Sequence, residues 1–112
     1  MKVEFYSERK YMQQADIFGD LRIHRLKCWT EYFNFVANKD IEKRKNFEVR
    51  KYDRDYQVGD YLLLSAYDPK EDKYTDRYVW RQITYILHDN RFLPEDIVVM
   101  GLIDNAPKLH II

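Results

Sequence analysis

The chain has 112 residues, with 19 basic and 19 acidic side chains and a formal net charge of zero. That length fits one domain and hardly two, and 46% hydrophobic against 34% charged residues excludes a disordered chain. Zero net charge argues against a generic polycation that coats DNA, and the single Cys28 excludes an intramolecular disulfide and a cysteine-based zinc site. With no signal peptide pattern and no apolar run near about eighteen residues, the expectation is a soluble cytoplasmic protein with no membrane partner.

In chain order, Met1 to Asp20 carries the weakest pattern. Val3 and Phe5 alternate with charged neighbours as a short edge strand would, Tyr11 to Phe18 fits a helical turn or an ordered arm, and Gly19-Asp20 signals a turn. Residues 1–21 are expected to be an extension packed on a domain formed by 22–112. Leu21 to Cys28 alternates as a strand, placing Leu21, Ile23, Arg25 and Lys27 on one face and Arg22, His24, Leu26 and Cys28 on the other. Thr30 to Asn38 reads as a helix. Trp29, Tyr32, Phe33 and Val36 fall on one stripe, which is expected to be core, and Thr30 is the candidate N-cap.

Asn38 to Arg44 is a polar connection into a strand over Asn46 to Tyr52. Alternation there predicts Phe47 and Val49 in the core and Glu48, Arg50 and Tyr52 on the polar face. Asp53 to Val58 is a loop and Gly59-Asp60 a turn. Tyr61 to Tyr67, with three consecutive leucines, is the most apolar strand. A charged hairpin loop over Asp68 to Asp76 leads to a strand over Arg77 to Leu87, with Val79, Ile83, Tyr85 and Leu87 on one side and Tyr78, Trp80, Gln82 and Thr84 on the other. After a loop containing Pro94 comes the strand Ile97 to Ile103. Leu109, Ile111 and Ile112 offer a short final strand. Five or six short strands and one helix make the fold α+β, mainly β, and favour a small barrel over an open sheet.

Charge is unevenly placed along this plan. Lys39 to Arg54 holds seven basic residues against four acidic ones, whereas Asp55 to Asp76 is mostly acidic. A local basic patch on a neutral protein suits one anionic ligand or a short strand of nucleic acid. Ten tyrosines and two tryptophans serve a β-rich core or, on a surface, a platform that stacks bases.

Five runs resemble the ASCH domain (activating signal cointegrator homology) of the PUA-like superfamily, and within it a small uncharacterised branch common in bacteriophages and bacteria. His24-Arg25-Leu26-Lys27 resembles that branch's opening strand and Tyr32-Phe33-Asn34-Phe35-Val36 its helix. The long run from Lys45 to Asp60, KNFEVRKYDRDYQVGD, resembles its central segment; Tyr74-Thr75-Asp76-Arg77 and Val98-Val99-Met100-Gly101 resemble its late strands. The likeness covers about residues 22–103. Lys43 and Asp76 stand where the family usually has glycines.

The resemblance implies a PUA-like barrel of five to six strands with one main helix and a cleft beside that helix and the central strand. Lys45, Glu48 and Arg50 would line it, with His24 and Lys27 near and Tyr52, Tyr56 or Trp80 stacking on a base. Arg54 belongs to the candidate binding set. RNA or another nucleic acid is the expected partner, and a phage setting also admits a host protein. Against these roles stand plainer ones. Glu48 and Arg50 would pair structurally with Lys45 or Arg54, Asp53 and Arg54 would brace the loop, and His24 would be a hydrogen-bonded structural residue. Some ASCH relatives are amidohydrolases on acylated cytidine that use a Lys, a Thr and a Glu, and others are linked to ribonuclease activity. Here Lys45 matches the Lys, but Glu48 stands where the hydroxyl nucleophile belongs. As an enzyme the chain would rely on Lys45 and Glu48 as acid and base. Three histidines without ligand spacing give no metal site, and no cofactor is expected.

Overall fold

A computed structural model describes residues 15–108. Six strands and one short helix follow one another: β1 (Asp16–Phe18), β2 (Leu21–Trp29), α1 (Thr30–Val36), β3 (Phe47–Lys51), β4 (Tyr61–Asp68), β5 (Lys73–Leu87) and β6 (Ile97–Ile103). They form one sheet in the order β1-β2-β4-β5-β6-β3. The β2/β4 pair is parallel, and every other pair is antiparallel. Crossing from β2 to its parallel neighbour β4 consumes α1 and β3, as a parallel pair requires a long connection.

Among the described residues the strand count and the single helix match the expectation, but the sheet does not close. β1 and β3 are its edges. β1 covers β2 only as far as Ile23, so among the described residues the later carbonyls of β2 have no strand on that side. Two of them accept arginine side chains from the β3 region: Arg50 Nη1 donates to the Lys27 carbonyl at 2.9 Å and Arg54 Nη1 to the Arg25 carbonyl at 3.4 Å. Side chains span a gap that a barrel would fill with a backbone ladder.

The core gathers Leu26, Phe33, Val36, Leu62, Leu64, Ile83, Val98, Met100 and Leu102. Leu62 and Leu64 are inward and Leu63 is half-buried, so the three leucines alternate. α1 lays Phe33 and Val36 into this core, whereas Trp29, Tyr32 and Phe35 are exposed. The expected apolar stripe is therefore only half core. A seven-residue helix has too few turns to bury four large side chains on one face. Thr30 is its first residue; Trp29 occupies the cap position and makes no side-chain capping bond.

Alternation on β3 is opposite to the sequence expectation. Glu48 is 2% exposed, while Phe47 and Val49 are 47% and 49% exposed. The pairing register is the reason. Glu48 lies opposite Met100 and Arg50 opposite Val98, both fully buried, and residues directly opposite across an antiparallel pair share a face. Bonds from the Leu102 amide to the Asn46 carbonyl and from the Tyr52 amide to the Asp96 carbonyl fix that register at both ends. A one-residue slip would return Phe47 and Val49 to the core and expel Glu48.

On β5 the pairing shifts between Ile83 and Tyr85. The shift reverses the expected alternation from there on, so Tyr85 is exposed and Ile86 packs on the core. The Gly19 turn is present with φ 62°, and it joins β1 to β2. Expectations for Val3 and Phe5, for Tyr11 to Gln14 and for Leu109, Ile111 and Ile112 lie outside the described residues. Among the described residues no helix is long and apolar enough to cross a membrane.

Candidate functional site

The seam between β2 and β3 holds a cleft of about 390 Å³ lined by Lys27, Cys28, Trp29, Tyr32, Lys45, Glu48, Val49 and Arg50. Glu48 forms its floor. One carboxylate oxygen accepts from Lys45 Nζ at 2.9 Å and the other from Arg50 Nε at 2.8 Å. A buried carboxylate is costly unless its oxygens are met by donors, and these two charge-assisted bonds meet it. Both cations keep about a quarter of their side chains exposed, at 25% and 24%. Glu48 thus holds Lys45 and Arg50 in place without cancelling them. Over the lining as a whole, three cations face one carboxylate.

Each cation is positioned by the fold. Lys45 ends the loop after α1, and its amide donates to the Phe35 carbonyl at 3.0 Å, tying the loop to the helix. Arg50 is fixed at both ends, by Glu48 and by the Lys27 carbonyl. The Lys27 ammonium lies 4.1 Å from the Tyr67 ring centre, a cation–π contact that orients it. Trp29 and Tyr32, at the β2/α1 junction, contribute rings that are about half exposed. Cys28 also lines the cleft but is 4% exposed. Burial, then the Glu48 carboxylate, pushes its thiol up, with Arg50 and Lys45 pulling the other way. A neutral, buried thiol is a poor nucleophile.

Of the residues expected at the site, Lys27, Lys45, Glu48 and Arg50 converge on this cleft. Arg54 does not. It is 9% exposed and lines an adjoining hollow of about 230 Å³ with Leu26, Arg50, Lys51, Asp53 and Tyr56. His24 is fully buried, its Nε2 2.6 Å from Asp60 Oδ2. Asp60 also accepts from Arg22 Nε at 2.8 Å and from the Gln57 amide at 3.0 Å. Burial pushes the Asp60 carboxyl up, but the bonds from His24, Arg22 and Gln57 outweigh it and hold the carboxyl below its ordinary range. His24 thus lies buried, away from the cleft lining, and ties β2 to the residue that precedes β4.

Tyr56 sits against His24 with ring centres 4.7 Å apart. Burial pushes its hydroxyl up to about 12, and with 3% exposure it is no stacking platform. Tyr52 is half-buried, edge-on to the His88 ring at 4.5 Å. Trp80 lies on β5 beside a different cavity. The exposed rings that line the cleft are instead Trp29 and Tyr32, which helical spacing had assigned to the core. The signal available in the sequence was strand parity: Trp29 shares the outward parity of Arg25 and Lys27 on β2. Among the described residues no cluster of three or more His, Cys, Asp or Glu is placed to hold a metal ion.

Fold and site together define a small, mainly β domain that presents several cations and two aromatic rings to one cleft. The chain belongs to the family described as a domain of unknown function (DUF3850), which its residues 23–102 match. It is also similar to an uncharacterized 12.9 kDa protein in the GpA 3′ region of Escherichia phage P2, with 34% identity over 79 residues. That match covers 70% of this chain and 66% of the phage protein. Every residue lining the cleft falls inside the family match.

Proposed function

We propose that this domain is an ASCH-related, PUA-like module that binds RNA or another single-stranded nucleic acid in the β2/β3 cleft. One observation carries the reading: Glu48 is buried and saturated, while the two cations it holds remain partly open to the cleft. An arginine fork and a lysine suit a phosphate, and Trp29 and Tyr32 beside them suit a base. Binding of a labelled single-stranded oligoribonucleotide is expected to weaken with salt and to be lost on Arg50→Ala. No binding even at low salt would refute the module.

Exposed apolar side chains favour a second reading. Phe47, Val49, Tyr85 and Ile103 lie on the outer side of β3, β5 and β6 with 47–62% exposure, which suits a host protein partner. A stoichiometric partner recovered from host lysate and resistant to nuclease would favour that role over nucleic acid. The hydrolase reading draws on the Lys45–Glu48 contact, but both Glu48 oxygens are engaged by cations. N4-acylated cytidine and RNA are expected to stay intact on incubation with the protein.

A further inference from the structure

A second cluster of cations lies away from the β2/β3 cleft. A cavity of about 410 Å³ between the end of α1, β5 and the segment after β6 is lined by Lys39, Arg44, Tyr78, Trp80, Arg81 and Asp104, among others. The two arginines are nearly buried, with 8% and 6% of their side chains exposed. Asp104 is their carboxylate neighbour, and it is a weak one. It is 65% exposed and stands 3.6 Å from Arg44 Nη1 and 3.4 Å from Arg81 Nη1, beyond the usual 2.7–2.9 Å of a charge-assisted bond.

Arg81 is placed firmly. Its Nη2 donates to the Val36 carbonyl at the end of α1 at 2.7 Å, and its Nη1 to the Trp80 carbonyl at 2.6 Å. Its Nε is buried and has no protein acceptor among the described residues. Arg44 Nε donates to Asn46 Oδ1 at 2.9 Å. Two nearly buried guanidinium groups near one loosely held carboxylate make an environment short of negative charge. Burial holds the Arg81 guanidinium below its ordinary range; Asp104 opposes this and Arg44 adds a smaller push in the same direction as burial. Buried donors without acceptors are costly and call for a partner.

We infer that this cavity is a second anion site, in which a phosphate group is held by Arg44 and Arg81 beside the Trp80 ring. The geometry does not need the β2/β3 cleft to bind anything, yet it would extend that reading. Arg44 lines this cavity and its chain neighbour Lys45 lines the cleft, so one dipeptide serves both. The phosphate is either a free ion or a phosphodiester of a strand that also occupies the cleft.

The test follows the Arg81 Nε–Hε and Trp80 indole signals of the isotope-labelled full chain by NMR during titration with inorganic phosphate, against chloride at matched ionic strength. A saturable shift of Arg81 Nε–Hε is expected with phosphate and not with chloride. Arg44→Gln should abolish it. If that variant does not fold, Asp104→Asn carries the test alone, because it removes the competing exposed carboxylate. It should tighten phosphate binding about fivefold, the size of a partly exposed charge interaction, and a merely structural role for Asp104 would give no gain. A second titration with a single-stranded hexaribonucleotide assigns the source: joint movement of Arg81 and Trp80 points to a phosphodiester, movement with inorganic phosphate alone to the free ion. Equal response to phosphate and chloride, or unchanged affinity in Asp104→Asn, overturns the site. Trp29→Ala should leave the phosphate titration unchanged, which separates failure of the cleft reading from failure of this one.

Discussion

Arg50 on β3 donates to the backbone carbonyl of Lys27 on β2 at 2.9 Å, across the seam where the sheet stays open. The same guanidinium holds Glu48. One side chain therefore joins two strands that share no ladder and forms a wall of the cleft between them.

Breaking that junction should cost stability as well as binding. Arg50→Ala leaves a buried Glu48 with one cation and leaves the Lys27 carbonyl without its donor. The expected loss is about 2–3 kcal/mol, below the full value for a buried pair because Arg50 is partly exposed. Arg50→Lys should restore part of the stability but not the two-point fork. Urea unfolding of the three proteins measures this, and an Arg50→Ala change under about 0.5 kcal/mol would count against the seam as described.

Acid sensitivity should come in part from Asp60. Its carboxyl is held below the ordinary range in the folded protein, so the folded state favours the carboxylate. The resulting stability is fully present above the unfolded value of about 4 and is lost as pH falls through the lower folded value. Asp60→Asn should lower stability at neutral pH by about 2–3 kcal/mol and flatten the decline below about pH 5. An acid limb of unchanged slope would show that Asp60 does not set it.

Exposed side chains at the cleft separate binding from folding. Trp29 is 49% exposed, and Trp29→Ala should weaken an oligoribonucleotide by about 1–3 kcal/mol, the range for one base stacked on a ring. Lys27→Ala should weaken all sequences alike and reduce the salt slope by about one phosphate contact. Fluorescence anisotropy across a salt series reads both effects. If Trp29→Ala binds as tightly as the parent, the bases do not stack there.

Cys28 should be inert in the native protein. Its thiol is buried and pushed up, burial being the main cause. Ellman's reagent at neutral pH should react only on unfolding, at a rate that follows denaturant and not pH alone. Rapid labelling of the folded chain would mean that the seam opens far more readily than its bonds suggest.

Several elements were legible in the sequence because their pattern is local. Strands β2, β4 and β6 fall within a residue or so of their expected limits, and both glycine turns are where they were read, Gly59 with φ 96°. The convergence of Lys27, Lys45, Glu48 and Arg50 was expected from resemblance to a family cleft, and all four line the cavity between β2 and β3. The orientation of β3 was not legible. Its period-2 alternation locates two faces but does not say which is inside, and β6 opposite it is apolar on both faces and offers no guide.

Local sequence patterns specify a mainly β chain, with one short helix among the described residues, a basic segment from Lys39 to Arg54 and the turns that join the strands. Local propensity, periodicity and turn chemistry act within a few residues and suffice for that. Long-range packing turned Glu48 inward, brought Trp29 and Tyr32 to the cleft, locked His24 to Asp60 and placed Trp80 in a different cavity. Those outcomes depend on pairing register and on charged groups far apart in the chain. Arg50 and Lys27 are 23 residues apart, and His24 and Asp60 are 36 apart. The cost of burying Glu48 is met only when the folded sheet brings Lys45 and Arg50 to its two oxygens.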